Sequence, residues 1–329
     1  MEASLDLSRW RDPPRGVAYR RWVILSTGLR RLLRQWFFRA LLVLSWAGAV
    51  VLALVGFIFS QSVGVGGTLD QFLGNFGPRG AAVAATIRGL VLLYPDVVVN
   101  SLFTTIFWVQ AYLGCFLSLV ALTALTPSLV ARDRASNALT IYLSRPLTSA
   151  DYLIGKLGII AGFLLLVWTG PLLFTWLLSV LFASDKDFLV YSFAPLLRAL
   201  LYNGIAFAAL SAIALGVSAL SRSSRSIIVI WLCLWLVAGF VAKVPHMPVW
   251  MQRASFSRDL SQIDSEVLRI DRALIDAGQE LPLTNRRLAE NLTQAGDHTA
   301  ATDFGGSVTG LAVLGGLSIL LLFRRLKPE

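Results

Sequence analysis

Charge is scarce in this 329-residue chain: Asp, Glu, Lys and Arg make up 15% of it, against 56% hydrophobic residues and a mean hydropathy of +0.69. A water-soluble domain carries roughly 25% charged residues, so a purely aqueous fold is excluded and a bilayer is the simplest solvent. Cysteine and histidine are rarer still, two of each. Cys115 and Cys233 sit in different apolar runs with no C-x-x-C spacing and no histidine beside them. They read as small buried hydrophobes, neither disulfide nor metal site. His298 is a lone histidine expected at the surface. The apolar runs hold no Asp, Glu, Lys or His, which argues against a carrier coupled to protons or ions through titratable groups in the membrane. No Ser/His/Asp set, paired carboxylates or metal cluster lies in or beside the runs. The chain is therefore not expected to be an enzyme.

Six runs are long enough for the ~20 residues that cross a hydrocarbon core, the fifth being a little short: Ala40–Ser60, Val98–Thr126, Leu157–Phe182, Leu196–Leu220, Ile227–Ala242 and Ser307–Phe323. Arg198 is the one charge among them. The stretch Ala81–Val99 is also apolar but is interrupted by Arg88, Pro95 and Asp96. It reads as an interfacial or re-entrant helix, with a seventh span as the alternative. The net charge of +10 is carried mostly by arginine at the ends of the runs, where it meets lipid phosphate and sets orientation rather than binding nucleic acid. Arginines crowd residues 1–39, the second-to-third loop (Arg132, Arg134, Arg145, Lys156), the fourth-to-fifth loop (Arg222, Arg225) and the tail (Arg324, Arg325, Lys327). Both termini are thus expected in the cytoplasm, and residues 1–39, which lack a small-residue cleavage site, are not expected to be a cleaved signal peptide.

The expected organisation is a basic amphipathic segment (1–39), two spans with an outer loop (40–126), a cytoplasmic segment (127–156), three spans (157–243), an external helical loop (244–306), and a sixth span with a basic tail (307–329). In Val17–Phe38, Trp22, Leu25, Leu29, Leu32, Leu33 and Trp36 recur at helical spacing among Arg30, Arg31 and Arg34. That pattern predicts a helix lying in the cytoplasmic headgroup layer. In the external loop, Leu260, Ile263, Val267, Ile270 and Leu274 form one apolar stripe, the mark of a helix ended by Gly278 and Pro282. Asp259, Asp264, Glu266 and Arg269 fall mostly off the stripe. With a second helix from Thr284 to Gln294, a helical hairpin results. Its stripe must bury against its neighbour, the spans or another chain, so an extracytoplasmic partner protein is one candidate.

Weaker signals complete the survey. His246, Met247 and Met251 have soft-metal ligand types, but a proline-bounded anchor with Trp250 in the headgroups is the simpler account. Asn291-Leu292-Thr293 matches a glycosylation acceptor that would be idle in a bacterium. Ala49 and Ala53, or Gly48 and Gly56, give the first span a small face for close packing, within one subunit or between two. Asn100, Gln110 and Asn203 are expected to make hydrogen bonds between helices, with a substrate path as the alternative.

Residues 127–156, PSLVARDRASNALTIYLSRPLTSADYLIGK, carry the densest pattern. Arg132, Asp133 and Arg134 supply charge, Leu139, Ile141, Tyr142 and Leu143 an apolar face, and Ser144-Arg145-Pro146 a stop. Thr148 or Ser149 can cap the next helix, with Asp151 in its first turn. A short amphipathic knob of this kind can pass force between a soluble partner and the spans. Gly155-Lys156 is not a phosphate loop, because no glycine precedes it at the required spacing and Leu157 replaces Ser/Thr.

On these residues the chain resembles the type-2 ABC transporter permeases, especially those linked to nitrous oxide reductase assembly and multi-copper enzyme maturation. The matching residues are Asp133, Arg134, Leu139, Leu143, Ser144, Arg145, Pro146, Leu147, Tyr152, Gly155 and Lys156, with Asn137 where glycine is usual. The resemblance implies an all-α permease of six spans, exporter-like, working as a homodimer. It implies a separate ATP-binding cassette ATPase that carries ATP and Mg, with no cofactor in this chain. It further implies that Arg132, Asp133, Arg134, Asn137, Leu139, Tyr142, Ser144, Arg145, Pro146, Tyr152, Gly155 and Lys156 form the coupling segment seated on that ATPase. A bacterial inner membrane is the expected location. The alternative function is a membrane scaffold that recruits an extracytoplasmic protein without moving a solute.

Overall fold

The computed structural model describes residues 16–61, 68–136, 149–181, 183, 186–241, 244, 255–282 and 286–326. The protein is an all-α integral membrane protein. Among the described residues, six helices are long and apolar enough to cross a bilayer. The first helix, α1 (Val17–Leu33), leads through a turn at Arg34 and Gln35 into the first span, α2 (Trp36–Ser60). Two short helices, α3 (Thr68–Gly74) and α4 (Pro78–Leu93), follow and are held together by an Arg88–Asp70 ion pair. The second span is α5 (Pro95–Leu129), continued after a kink by α6 (Ala131–Ala135). The third, α7, runs from Ser149–Leu164 through a π-helical turn, Leu165–Thr169, into Gly170–Leu181. The fourth is α8 (Asp187–Leu220). The fifth, α9, runs from Ser224–Leu232 through a second π turn, Cys233–Val237, to Ala238–Val241. After α10 (Phe256–Leu268), α11 (Ile270–Glu280) and α12 (Arg286–Thr299) comes the last span, α13 (Phe304–Leu326).

The spans are not equivalent. In the most apolar windows of α5 and α8, 61% of residues are buried inside the chain, but only 11% are buried in that of α9. So α5 and α8 form the core, with α2 and α7 packed on one flank and α13 on the other. Pairing of α2 with α7 follows from small residues: Ala49 and Ala53 are fully buried, and the Thr175 hydroxyl donates to the Ala49 carbonyl at 3.2 Å. The small face of the first span is thereby used within the chain. The π turn of α7, with Gly170 N–H shifted to Leu165, and Pro171, which has no N–H, leave the carbonyls of Leu166 and Val167 without helical donors. Both are caught by α2, where Ser45 donates to Val167 and Trp46 Nε1 to Leu166 at 3.1 Å. On α5, Gly114 leaves room for Trp168, whose ring lies 2.7 Å from where a Cβ would stand.

Several expectations are corrected here. The amphipathic stretch 17–38 is not one helix: α1 ends at Leu33 and Trp36 opens α2. Residues 81–99 divide at Tyr94 into α4 and the start of α5, and α4 is not among the six spans. The external stripe lies on two helices, because Arg269 adopts a left-handed backbone (φ 58°) between α10 and α11. Cys233 is exposed on α9 rather than buried, since that span has few neighbours. Asp259 and Asp264 are both buried, because α10 is enclosed by α5, α8 and α13 and has no free polar face there. Asn203 reaches Thr169 at 3.3 Å as expected, whereas the side-chain amide of Gln110 finds no partner.

Candidate functional site: the joint at the ends of α5, α7 and α8

The segment between the second and third spans leaves and rejoins the bundle at one small joint, built around the short helix α6. A proline inside α5, Pro127, precedes the kink at Val130. The break leaves backbone N–H groups without helical acceptors, and an unpaired buried donor is costly. Ser218 of α8 supplies the acceptor: its hydroxyl takes N–H bonds from Val130 at 2.9 Å and Ala131 at 3.2 Å. The return contact comes from Arg134, whose guanidinium donates to the Ala219 carbonyl at 2.6 Å. A cation at the carbonyl end of a helix is favourable, so α6 and the end of α8 are tied in both directions.

Toward α7 the link is ionic. Asp133 Oδ2 accepts a hydrogen bond from the Tyr152 hydroxyl at 2.6 Å and lies 2.8 Å from Lys156 Nζ. Tyr152 is 3% exposed, and the Asp133 and Lys156 side chains are 19% and 14% exposed, so water screens the cluster only in part. One face of α7 thus gathers Tyr152 and Lys156, one helical turn apart, on a single carboxylate of α6. A neighbouring face, about a quarter turn round the helix, carries Gly155, Gly158 and Gly162, against which α1 lays Ile24, Leu25 and Leu29. A Cβ at Gly155 would stand 2.7 Å from Ile24 Cγ2, and one at Gly158 2.7 Å from Leu25 Cδ1. Arg21 of α1 closes the arrangement through a salt bridge to Asp151, with Nε donating to Oδ1 at 2.8 Å. One helix of five residues, α6, therefore ties α5, α7 and α8 together, and α1 joins them through α7.

The residues expected from sequence divide into three groups. Asp133, Arg134, Tyr152, Gly155 and Lys156 are brought together, and each is engaged inside the chain rather than pointing away from it. Arg132 is exposed. Asn137, Leu139, Tyr142, Ser144, Arg145 and Pro146 lie outside the described residues, as do His246, Met247 and Met251. On α1, Trp22, Arg30, Arg31 and Arg34 are exposed, as is Trp36 at the start of α2, while Leu25, Leu29 and Leu32 face the protein. Of the external stripe, Leu260, Ile263 and Ile270 are buried and Val267 and Leu274 half-buried. It packs on this chain's own α5, α8 and α13. Sequence reasoning missed Ser218, the Arg21–Asp151 bridge and the glycine face of α7. The last was findable, because glycines three and four residues apart in an apolar helix signal close helix approach.

Residues 27–265 match the family described as ABC-2 family transporter protein. Among curated proteins, none matches the chain significantly. The family match covers the end of α1 to most of α10, including five of the six spans and α6 with its partners on α7 and α8, but not Arg21, Ile24 or Leu25. The chain belongs to the ABC-2 family of transporter proteins and is a multi-pass permease subunit of an ABC transporter.

Proposed function

We propose that this permease works as two copies with a separate ATP-binding cassette ATPase, and that the ATPase docks on the segment 137–148 held by the joint. The basic side of the bundle, where α1 and α6 lie, faces the cytoplasm in this reading, and solute moves outward. The observation that carries it is the wiring of α6. A push on the segment it leads into reaches α7 through Asp133, Tyr152 and Lys156, and α8 through Arg134 and Ser218. Among the described residues no group of three or more His, Cys, Asp or Glu is placed to hold a metal. The apolar stretches of the spans hold none of the acids and lysines through which ion-coupled carriers take up energy, those of the joint lying at helix ends, so mechanical input from a nucleotide-driven partner supplies what the chain does not.

Docking falls to residues that are not consumed by the fold. Arg132 is exposed, whereas Arg134 is spent on the Ala219 carbonyl. Arg132→Glu combined with Arg145→Glu is expected to abolish co-purification of the ATPase while the permease still inserts and elutes at its normal size. Unchanged co-purification would remove the docking role. A cysteine at Ser136, exposed at the end of α6, should resist membrane-impermeant maleimide in intact cells and react in opened ones. Labelling in intact cells would invert the proposed orientation.

A further inference from the structure

On the side of the bundle away from the joint, α5, α8, α9 and α10 enclose a cavity of about 450 Å³, within the range typical of small-molecule sites. Its walls are unequal. Toward the interior stand Tyr202 and Asp264, 2% and 4% exposed. Toward the outside stand Tyr112, Phe116 and Phe240, 65%, 49% and 70% exposed, on the membrane-spanning helices α5 and α9. The cavity therefore opens sideways past aromatic side chains of two membrane-spanning helices.

The polar lining comes mostly from α10, where Ser257, Arg258, Ser261 and Gln262 stand beside Asp264. Asp264 Oδ1 is buried with no hydrogen-bond partner, and no salt bridge reaches this carboxylate among the described residues. A buried polar group normally has a partner in the native state. Its titratable neighbours are Tyr202 of α8, Cys115 of α5 and Arg258 of its own helix, while α9 contributes only Trp235 and apolar side chains. Arg258 is six residues back on α10, roughly 9 Å along the axis, and forms no ion pair with it. The carboxylate thus shares the cavity wall with Arg258 but is paired with no cation among the described residues.

We propose that this cavity binds an apolar organic cation, an ammonium or phosphonium on a hydrocarbon body, with Asp264 as counter-charge and the aromatic rings as walls. A cation within about 6 Å of a ring face is attracted by the ring quadrupole, and exclusion of water strengthens both that contact and the pairing with the acid. An apolar body suits the lateral opening, through which the ligand arrives from the bilayer. Without a ligand, burial holds the Asp264 carboxyl well above the usual carboxylate range. The proton leaves when the ligand's charge takes its place. The inference rests on the transport reading only in naming its substrate class. Binding itself needs neither ATPase nor translocation, so transport can fail while the site stands, and the reverse.

The test is equilibrium binding of radiolabelled tetraphenylphosphonium to the full chain in phosphatidylcholine nanodiscs, with uncharged triphenylmethanol as competitor. Saturable binding is expected, weakened about tenfold or more by Asp264→Asn and only feebly displaced by the neutral competitor. The probe has no titratable group. Loss of affinity on acidification from about pH 8 to about pH 5 therefore reports a carboxylate that must ionise, since a raised acid binds the cation only in its deprotonated form. Trp235→Leu leaves the acid in place and should weaken binding several-fold. It keeps the test decisive if the Asn variant is not recovered folded. Nanodiscs containing phosphatidylethanolamine separate two sources of the same chemistry. Weaker probe binding there assigns the site to an aminolipid headgroup, and equal binding assigns it to a free lipophilic cation. Equal affinity in wild type and both variants, or no pH dependence, overturns the proposal.

Discussion

Asp133 accepts from two α7 side chains with one carboxylate oxygen, and its removal has consequences of graded size. Tyr152→Phe deletes one hydrogen bond to a charged acceptor, a loss of about 1–2 kcal/mol. Asp133→Ala strands the Lys156 ammonium, which is 14% exposed, and should cost up to about 3 kcal/mol because a long lysine stem can still reach water. Adding Lys156→Met to Asp133→Ala is expected to restore part of that loss, since the unpaired charge is gone. Thermal unfolding of the three variants in detergent measures the order. A double variant no more stable than Asp133→Ala alone would dissolve the pairing.

At the level of elements, the glycine face of α7 decides where α1 lies. Composition alone places α1 in the headgroup layer with its apolar stripe in lipid. The tertiary structure gives Leu25, Leu29 and Leu32 to protein and leaves Trp22 and Arg30 exposed. An amphipathic stripe states that a face must be covered, but not by what. The same ambiguity hid the surroundings of α10, whose acids seemed to belong to a solvated face until helices on several sides enclosed them. Gly155→Leu is expected to force α1 away, at about 1–3 kcal/mol of overpacking. Limited trypsin digestion should then cut at Arg30 or Arg31 faster than in the wild type, while the spans stay protected. An unchanged digestion pattern would show that the α1–α7 contact does not hold α1.

For the whole molecule, the distribution of burial across spans points to where another chain belongs. Val229 and Val237 of α9 are 59% and 53% exposed, and Cys233 is exposed on the same span. If two copies meet along α9, a bismaleimide should cross-link Cys233 to its counterpart in a Cys115→Ser background and give a covalent dimer in membranes. Monomer alone would leave that face to lipid. The outer stripe carries the opposite message. With Leu260, Ile263 and Ile270 buried in their own chain, those side chains are not a free surface for an extracytoplasmic protein.

Local composition was sufficient for the spans, because hydrocarbon cannot hydrogen-bond the backbone and so demands continuous apolar helices of a given length. Membership of the ABC-2 family was likewise legible in residues 127–156, because the pattern is carried by neighbours in the chain. Contacts between distant residues were not. Ser218 serving the amides of Val130 and Ala131, and Arg21 finding Asp151, join positions far apart in sequence, and only packing of the helices decides which ones meet. Asp264 shows the difference most plainly: its residue type is read at once, but whether an acid faces water or the wall of a cavity depends on every helix around it.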